Sequence, residues 1–244
     1  MRRFFYKLFS IFYIGFIGIS SALFFCLALV IRLVTAAFDR RRVITNVFSA
    51  FWASVYLWCM PAWSVQILGR EKLSMGKNYV FVANHQSQLD ILVLYRLLYP
   101  YRWVSKTAVF RVPFIGWNMR FNGDIPLKRG DKQSIAAMMA QCESLLRGNI
   151  SIFFFPEGTR STDGRLRPFK PGAFILAKKT NTPIQPVVLN HTRDALPKHA
   201  MTISGAKNMQ VQVLDEIPVS RFAHLSAEKT AEMVRDIIAA HVRL

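Results

Sequence analysis

The sequence predicts an α/β protein, a mixed β-sheet flanked by helices and preceded by an N-terminal pair of membrane-embedded helices. Three observations carry this prediction. Short β-prone runs alternate with helical patterns from about residue 72 onward, a texture that argues for a sheet covered by helices. Residues 8–31, LFSIFYIGFIGISSALFFCLALVI, contain no charged side chain. A hydrophobic fraction of 52% also coincides with a net charge of +18, from 32 Lys and Arg against 14 Asp and Glu in 244 residues. Together these suit a protein that sits on an anionic membrane or handles anionic lipids. A nucleic-acid binder has the charge without the apolar excess. A multi-span transporter has more apolar segments.

The leader comes first in the chain. As a helix its 24 uncharged residues reach about 36 Å, enough for a hydrocarbon core of about 30 Å. The run exceeds the core of a cleavable signal peptide, and no small-residue cleavage site follows it, so an uncleaved anchor is expected. A second uncharged stretch, Val43 to Gly69, carries Trp52, Tyr56, Trp58 and Trp63, residue types that favour the headgroup boundary. Asn46, Ser54, Pro61 and Gln66 make it a poorer span. Arg2, Arg3 and Lys7 place +3 before the first segment; Arg32, Arg40, Arg41 and Arg42 less Asp39 place +3 after it. Carrying either cluster across a bilayer is disfavoured, and a helical pair dipping into one leaflet satisfies both. Residues 1–70 are therefore read as membrane-associated helices and 71–244 as an α/β domain.

Within that domain YVFVAN (79–84) reads as a buried strand and LDILVLYRLLY (89–99) as a helix. RWVS (102–105) and DIPL (124–127) are short strands. Residues 131–148 place Ile135, Met138, Cys142 and Leu145 at helical spacing, with Gly148 as the stop. ISIFFF (150–155) is strongly β-prone and bounded by Pro156. PGAFILAKKT (171–180) is a helix with Pro171 near its start. IQPVVLN (184–190) and MQVQVL (209–214) are strands, and Met233, Val234, Ile237, Ile238 and Val242 mark the apolar face of a C-terminal helix. Cys26, Cys59 and Cys142 form no metal or disulfide pattern and read as small hydrophobes.

Two clusters carry chemistry. In VANHQSQLDI (82–91), His85 and Asp90 stand five positions apart. In a continuous helix that interval turns the second side chain about 140° from the first; in a strand it puts them on opposite faces. They meet only if His85 sits on a turn and Asp90 lies in the first turn of a helix beginning near Ser87. Asp90 would then fix the imidazole tautomer and leave the other ring nitrogen free as a base. A structural histidine at a helix start fits the same spacing, so the pair alone does not choose between the two. A zinc site lacks the H-E-x-x-H arrangement and any cysteine support.

The second cluster is FFFPEGTRS (153–161), where a buried strand ends at Pro156 and Gly158 opens the backbone for close approach. Glu157, Thr159 and Arg160 emerge at the strand's C-terminal edge, where open α/β sheets bind ligands. Arg160 offers a planar fork suited to phosphate.

Taken together, these motifs resemble the glycerolipid acyltransferases, in particular the lysophosphatidic acid acyltransferase family. The family's first block, N-H-x-S-x-x-D, matches Asn84, His85, Ser87 and Asp90. Its second matches GDIPLKR, Gly123 to Arg129, and its third, F-P-E-G-T-R-S, is matched in full by Phe155 to Ser161. A P-I-x-P-V segment matches Pro183 to Val187, with Thr182 in place of the usual preceding aliphatic residue. SKTAVFRVPFIGW (105–117) also looks like the family's intervening segment. The blocks occur in the family's order over residues 84–187, whereas the first 70 residues resemble it only as an apolar helical leader.

The resemblance implies a glycerol-3-phosphate acyltransferase-like fold. It also implies transfer of a fatty acyl chain from acyl-CoA or acyl carrier protein to the free sn-2 hydroxyl of lysophosphatidic acid, giving phosphatidic acid. It makes His85 the general base and Asp90 its orienting partner, with direct attack on the thioester. That agrees with the absence of a G-x-S-x-G elbow. Ser87 reads as a helix N-cap. Lys106, Arg129 and Arg160 are the candidates for the acceptor's phosphate; Glu157, Gly158 and Thr159 shape its glycerol pocket. Pro183 to Val187 supports the sheet. Backbone N–H groups near the helix start are candidates for the oxyanion. No metal or bound cofactor is implied, and membrane phospholipids are the expected surroundings, with no nucleic-acid partner. The expected location is a bacterial inner membrane with the catalytic domain on its cytoplasmic face. Another lysophospholipid acceptor, or a membrane-surface protein that binds anionic lipid without chemistry, are the alternatives. Among the other histidines, His191 lacks a carboxylate five residues on, since Leu196 stands there; His199, His224 and His241 read as surface or core residues.

Overall fold

Alternating faces on short strands produce two cores here, one on each side of a single sheet. The computed structural model describes residues 2–161, 163–196 and 207–243, with side chains from residue 8 onward. Two helices lead, α1 (Arg2–Val34) and α2 (Val43–Trp58), followed by β1 (Trp63–Leu68). Next come β2 (Val80–Ala83), α3 (Leu89–Tyr95), β3 (Tyr101–Lys106), α4 (Ile115–Asn122) and β4 (Ile125–Leu127). Then α5 (Lys132–Arg147), β5 (Ser151–Phe154), α6 (Gly172–Lys179) and β6 (Ile184–Asn190) follow. The chain continues with α7 (Thr192–Ala195), β7 (Lys207–Val213), α8 (Val219–Phe222) and α9 (Ala227–Ala239).

The seven strands lie in the order β1-β7-β6-β2-β5-β3-β4. The run β6, β2, β5, β3, β4 is parallel, and β7 joins it antiparallel to β6. Along β2, Phe81 and Ala83, with Tyr79 just before the strand, join the core beneath α2 and α3, whereas Val80 and Val82 join the core beneath α5, α6 and α9. On β5 the same alternation sends Phe153 one way and Ile152 and Phe154 the other. Phe81 and Phe153 stack at 5.3 Å with rings 2° from parallel. Each such fully buried side chain contributes about 1.5–3 kcal/mol. The parallel run places the C-terminal ends of β2, β3, β4 and β5 along one edge, where ligands bind in sheets of this kind.

The strands and helices expected after residue 72 are all present, with shifted ends. The helix expected to reach Tyr99 stops at Tyr95, because Leu98 turns to φ 51° and Pro100 follows. Asp131 caps α5 by accepting the Ser134 N–H at 3.0 Å, and Gly148 closes it. Helix α4, which the sequence reading did not separate out, begins after the tight turn around Phe114 and ends at Gly123, φ 80°.

One correction concerns the leader. The expected membrane-associated stretch of residues 1–70 ends in β1, an edge strand of the sheet paired parallel with β7. Gln66, which makes a poor lipid-facing residue, accepts from Gln210 at 3.1 Å, and Ser64 donates to Asn208 at 2.6 Å. Two polar residues of α2, Asn46 and Ser49, are also committed to the domain. Asn46 donates to the Tyr101 carbonyl at 2.8 Å, and Ser49 accepts from Asn118 and Asn122 at 2.9 Å each. Helices α1 and α2 form an antiparallel pair: Phe16 meets Tyr56, while Phe24 lies on Trp52 with ring centroids 5.5 Å apart. Both halves of α1 also touch the domain, Tyr13 against Trp63 and Phe25 against Phe114, Trp117 and Phe121. Its segment Leu8–Val34 is long and apolar enough to cross a membrane. Its outer face leaves Ile11, Phe12, Ile19, Leu23 and Val30 exposed.

The basic cluster after α1 is partly structural. Asp39 accepts from the Val43 and Ile44 N–H groups at 2.7 and 2.9 Å and so starts α2. Arg42 donates to the Arg120 carbonyl at 3.2 Å. The buried Arg102 guanidinium reaches the Arg41 carbonyl. The side chains of Arg2, Arg3 and Lys7, and all of His199, lie outside the described residues.

Candidate active site

Ala83 is the last residue of β2, and the chain turns sharply after it. Asn84 makes that turn possible by standing in for a strand neighbour: its amide donates to the Leu189 carbonyl and accepts the Leu189 N–H, both at 2.8 Å. His85 follows on the turn, and Asp90 sits in the first turn of α3. The His85 Nδ1 and Asp90 Oδ2 are 2.7 Å apart. The same oxygen accepts the Gln86 and Ser87 N–H groups at 2.7 and 2.9 Å. The Asp90 side chain is 0% exposed and that of His85 14%. Five residues separate the pair because this carboxylate caps the very loop that carries the histidine. With Nδ1–H donated to Asp90, the Nε2 lone pair is left for a substrate proton.

Behind the imidazole lies Phe155, stacked at 4.0 Å and 16°, itself stacked on Trp103. The ring plane is thus fixed by an aromatic wall and its tautomer by a carboxylate. The third-block turn is strapped to the same loop. Glu157 accepts the His85 N–H at 2.8 Å through one oxygen and the Arg167 N–H at 3.0 Å through the other, while the Ser161 N–H donates to the His85 carbonyl at 2.8 Å. Burial pushes the Glu157 carboxyl upward, against the opposing pull of those two N–H groups.

A cavity of about 750 Å³ opens at this strand edge, and His85, Lys106, Arg129, Gly158 and Arg160 line it. Four of the expected cation and glycine positions therefore meet the histidine in one space. Glu157 and Thr159 do not line it: the Glu157 carboxylate is turned inward as a strut, so it shapes the pocket through backbone contacts. Lys170 also lines the cavity, and sequence reading missed it. A Cβ on Gly158 would lie 3.1 Å from the Lys170 Nζ and Cε. At φ 70° the glycine lets that lysine cross the turn. The only sequence signal was a lysine beside Pro171, nine residues beyond the third block.

Two further expectations change. Ser87 is not the N-cap of α3; Gln88 occupies that position, and the Ser87 hydroxyl donates to Leu196 at 2.6 Å while accepting the Leu89 N–H at 3.2 Å. Of the candidate oxyanion donors near the helix start, the N–H groups of His85, Gln86, Ser87 and Leu89 donate to side chains. Pro186 and Val187 lie in buried β6, beneath the site. His191 has a carboxylate after all, Asp194 at 3.2 Å, but both side chains are partly exposed and lie off the cavity lining. His224 and His241 are exposed. Among the described residues no group of three or more His, Cys, Asp or Glu is arranged to hold a metal ion.

The helix-covered sheet thus brings a carboxylate-steered imidazole and a set of cationic side chains to one cavity at its strand ends. The family model described as Acyltransferase matches residues 64–190. A chloroplastic 1-acyl-sn-glycerol-3-phosphate acyltransferase of Brassica napus is 41% identical over 182 residues, 74% of this chain and 52% of that protein. One from Arabidopsis thaliana is 36% identical over 233 residues, covering 95% and 65% respectively. The crystal structure of the 1-acyl-sn-glycerophosphate (LPA) acyltransferase of Thermotoga maritima superposes with a TM-score of 0.78 at 22% identity, over 99% of this chain and 96% of that one, a likeness of fold. This chain belongs to the acyltransferase family. It spans between half and two thirds of the length of the two plant relatives.

Proposed function

We propose that the protein transfers a fatty acyl chain from a thioester, acyl-CoA or acyl carrier protein, to the sn-2 hydroxyl of 1-acyl-glycerol-3-phosphate, giving phosphatidic acid. The observation that carries the reading is the His85–Asp90 pair at 2.7 Å, with His85 lining a cavity that Lys106, Arg129, Arg160 and Lys170 also line. A base and a set of cations are what an alcohol beside a phosphate requires. The names of the plant relatives point to the same acceptor.

In this reading the cations grip the acceptor's phosphate and place its hydroxyl against His85 Nε2. The imidazole takes the hydroxyl proton as the oxygen attacks the thioester carbonyl, and the Asp90 carboxylate stabilises the imidazolium. The new C–O bond forms, the C–S bond breaks, and the proton passes from Nε2 to the departing thiolate. General base help of this kind is worth about 10²–10⁴ in rate. Cationic side chains lining the same cavity stabilise the developing oxyanion. No metal or bound cofactor takes part.

The same reading puts α1 and α2 into one leaflet, since both halves of α1 pack on a single domain while its outer face stays apolar. Both plant relatives are named as chloroplastic and lend no support to the bacterial inner membrane expected from sequence. The proposal is therefore membrane association.

The test is a panel of lysophospholipids offered with labelled acyl-CoA or acyl carrier protein to the protein in nanodiscs. Phosphatidic acid should be the dominant product. A strong preference for a lysophospholipid with a larger headgroup would replace the acceptor. Binding without any acyl product would replace the enzyme by a lipid-binding protein.

A further inference from the structure

Three guanidinium groups gather at the sheet edge away from His85, where the turn between α1 and α2 packs on the start of β3 and the end of α4. Arg42 donates to the Arg120 carbonyl at 3.2 Å, and the buried Arg102 donates to the Arg41 and Tyr101 carbonyls. A Cβ on Gly123 would lie 2.6 Å from Arg42 Nη1 and 3.6 Å from Arg102 Nε, so the glycine lets these two groups draw together. Arg32, in the last turn of α1, adds a third charge, and its Nη1 is buried with no hydrogen-bond partner among the described residues. Burial first, and Arg32 next, pull the Arg42 guanidinium below its ordinary value. Burial does the same to Arg102, with Asp124 opposing it and Arg42 adding to it. None of the three makes an ion pair among the described residues. Both oxygens of Asp39 are taken by the Val43 and Ile44 N–H groups. Asp124 accepts the Trp103 N–H, and burial lifts its carboxyl to about 7, so it is only part-ionised at neutral pH. Like charges packed together and partly out of water, with so little counter-charge, leave room for an anion.

We infer that Arg32 and Arg42, with the buried Arg102 charge behind them, bind the phosphate of an anionic phospholipid headgroup, at a site apart from the cavity that His85 lines. Arg32 and Arg42 are half-buried and so open to a ligand from the surface, whereas Arg102 supplies charge rather than contact. The surroundings choose a lipid over a free ion. Leu33, Val34 and Phe38 flank Arg32 and the turn and are 67%, 69% and 68% exposed. A phosphate with acyl chains beneath it matches a guanidinium fork set beside an apolar strip. Arg40 and Arg41, exposed on the same turn, add attraction to an anionic surface without forming part of the site. Arg42 also holds the end of α4, whose Asn118 and Met119 line the cavity. A bound headgroup therefore fastens one wall of that cavity through Arg42. The inference stands apart from the acyl-transfer reading and survives its failure.

Scanning calorimetry of the full chain separates a built site from general surface attraction. The chain is placed in nanodiscs of phosphatidylcholine, of phosphatidylcholine with phosphatidylglycerol, and of phosphatidylcholine with inorganic phosphate in the buffer. Phosphatidylglycerol is expected to raise the thermal midpoint of the parent chain by about 2–4 °C or more. Arg40→Gln removes one exposed charge from the same turn and is expected to keep that gain. Arg32→Gln and Arg42→Gln remove the same charge from the site and are expected to lose it. Arg42→Lys keeps the charge without the fork and is expected to keep only part of the gain. Should Arg42→Gln fail to fold, Arg32→Gln carries the comparison. A parent midpoint that phosphatidylglycerol leaves unmoved would overturn the inference. So would a gain that Arg32→Gln retains, or one that Arg40→Gln loses to the same extent. An equal gain from inorganic phosphate would overturn the lipid as the source of the anion.

Discussion

His85 owes its usefulness to one oxygen. Asp90 Oδ2 holds the imidazole Nδ1 and two loop N–H groups at once, so the carboxylate builds the turn and sets the tautomer together. Asp90→Asn puts an amide where that oxygen stands, and the amide's N–H₂ or wrong-sided acceptor cannot serve all three donors. We predict a fall in kcat of about 10²–10⁴ with KM for the acceptor little changed, read from steady-state kinetics in detergent. The pair was legible in the sequence because five residues is an interval that only a turn entering a helix can close. The fate of the loop N–H groups was not legible, since it depends on Glu157 reaching across from β5. Lys170 was hidden for a related reason: nothing local marks a lysine whose position is set by the glycine it crosses.

At the level of elements, β2, α5, β5, α6, β6 and α9 announce themselves by period and by their caps. β1 does not. Its sequence WSVQIL continues an uncharged stretch and becomes a strand only because β7 lies alongside it, a partner more than a hundred residues away. The partners of Asn46 and Ser49 on α2 were hidden for the same reason, since they lie far along the chain. Asn46→Ala would take from the buried Tyr101 carbonyl one of its donors, leaving it the Arg102 guanidinium at 3.1 Å. The expected cost is that of one hydrogen bond, about 0.5–1.5 kcal/mol, seen as a lower thermal midpoint in detergent. An unchanged midpoint would mean that the Asn46 amide adds nothing to the hold on α2.

For the whole molecule, the response of stability to pH runs through a buried carboxyl group. Asp124 accepts the Trp103 N–H at 2.9 Å, and burial pushes its carboxyl from 3.8 up to about 7, against the lowering pull of that N–H, Arg102 and Arg42. The folded chain then keeps a proton that the unfolded chain has released across that interval. The stability this group supplies is full below the unfolded value and is lost as pH rises through about 7. The thermal midpoint should therefore fall from about pH 5 to about pH 8 more steeply in the parent chain than in Asp124→Asn, measured by scanning calorimetry. Equal slopes would remove Asp124 from the account.

In the proposed reaction one steered imidazole takes the proton from an alcohol at a membrane surface. The most direct measurement is single-turnover acyl transfer by His85→Ala beside its co-sedimentation with anionic vesicles. The account predicts product formation slowed by at least about a hundredfold, with vesicle binding as in the parent chain. A variant that forms product at the parental rate would contradict it.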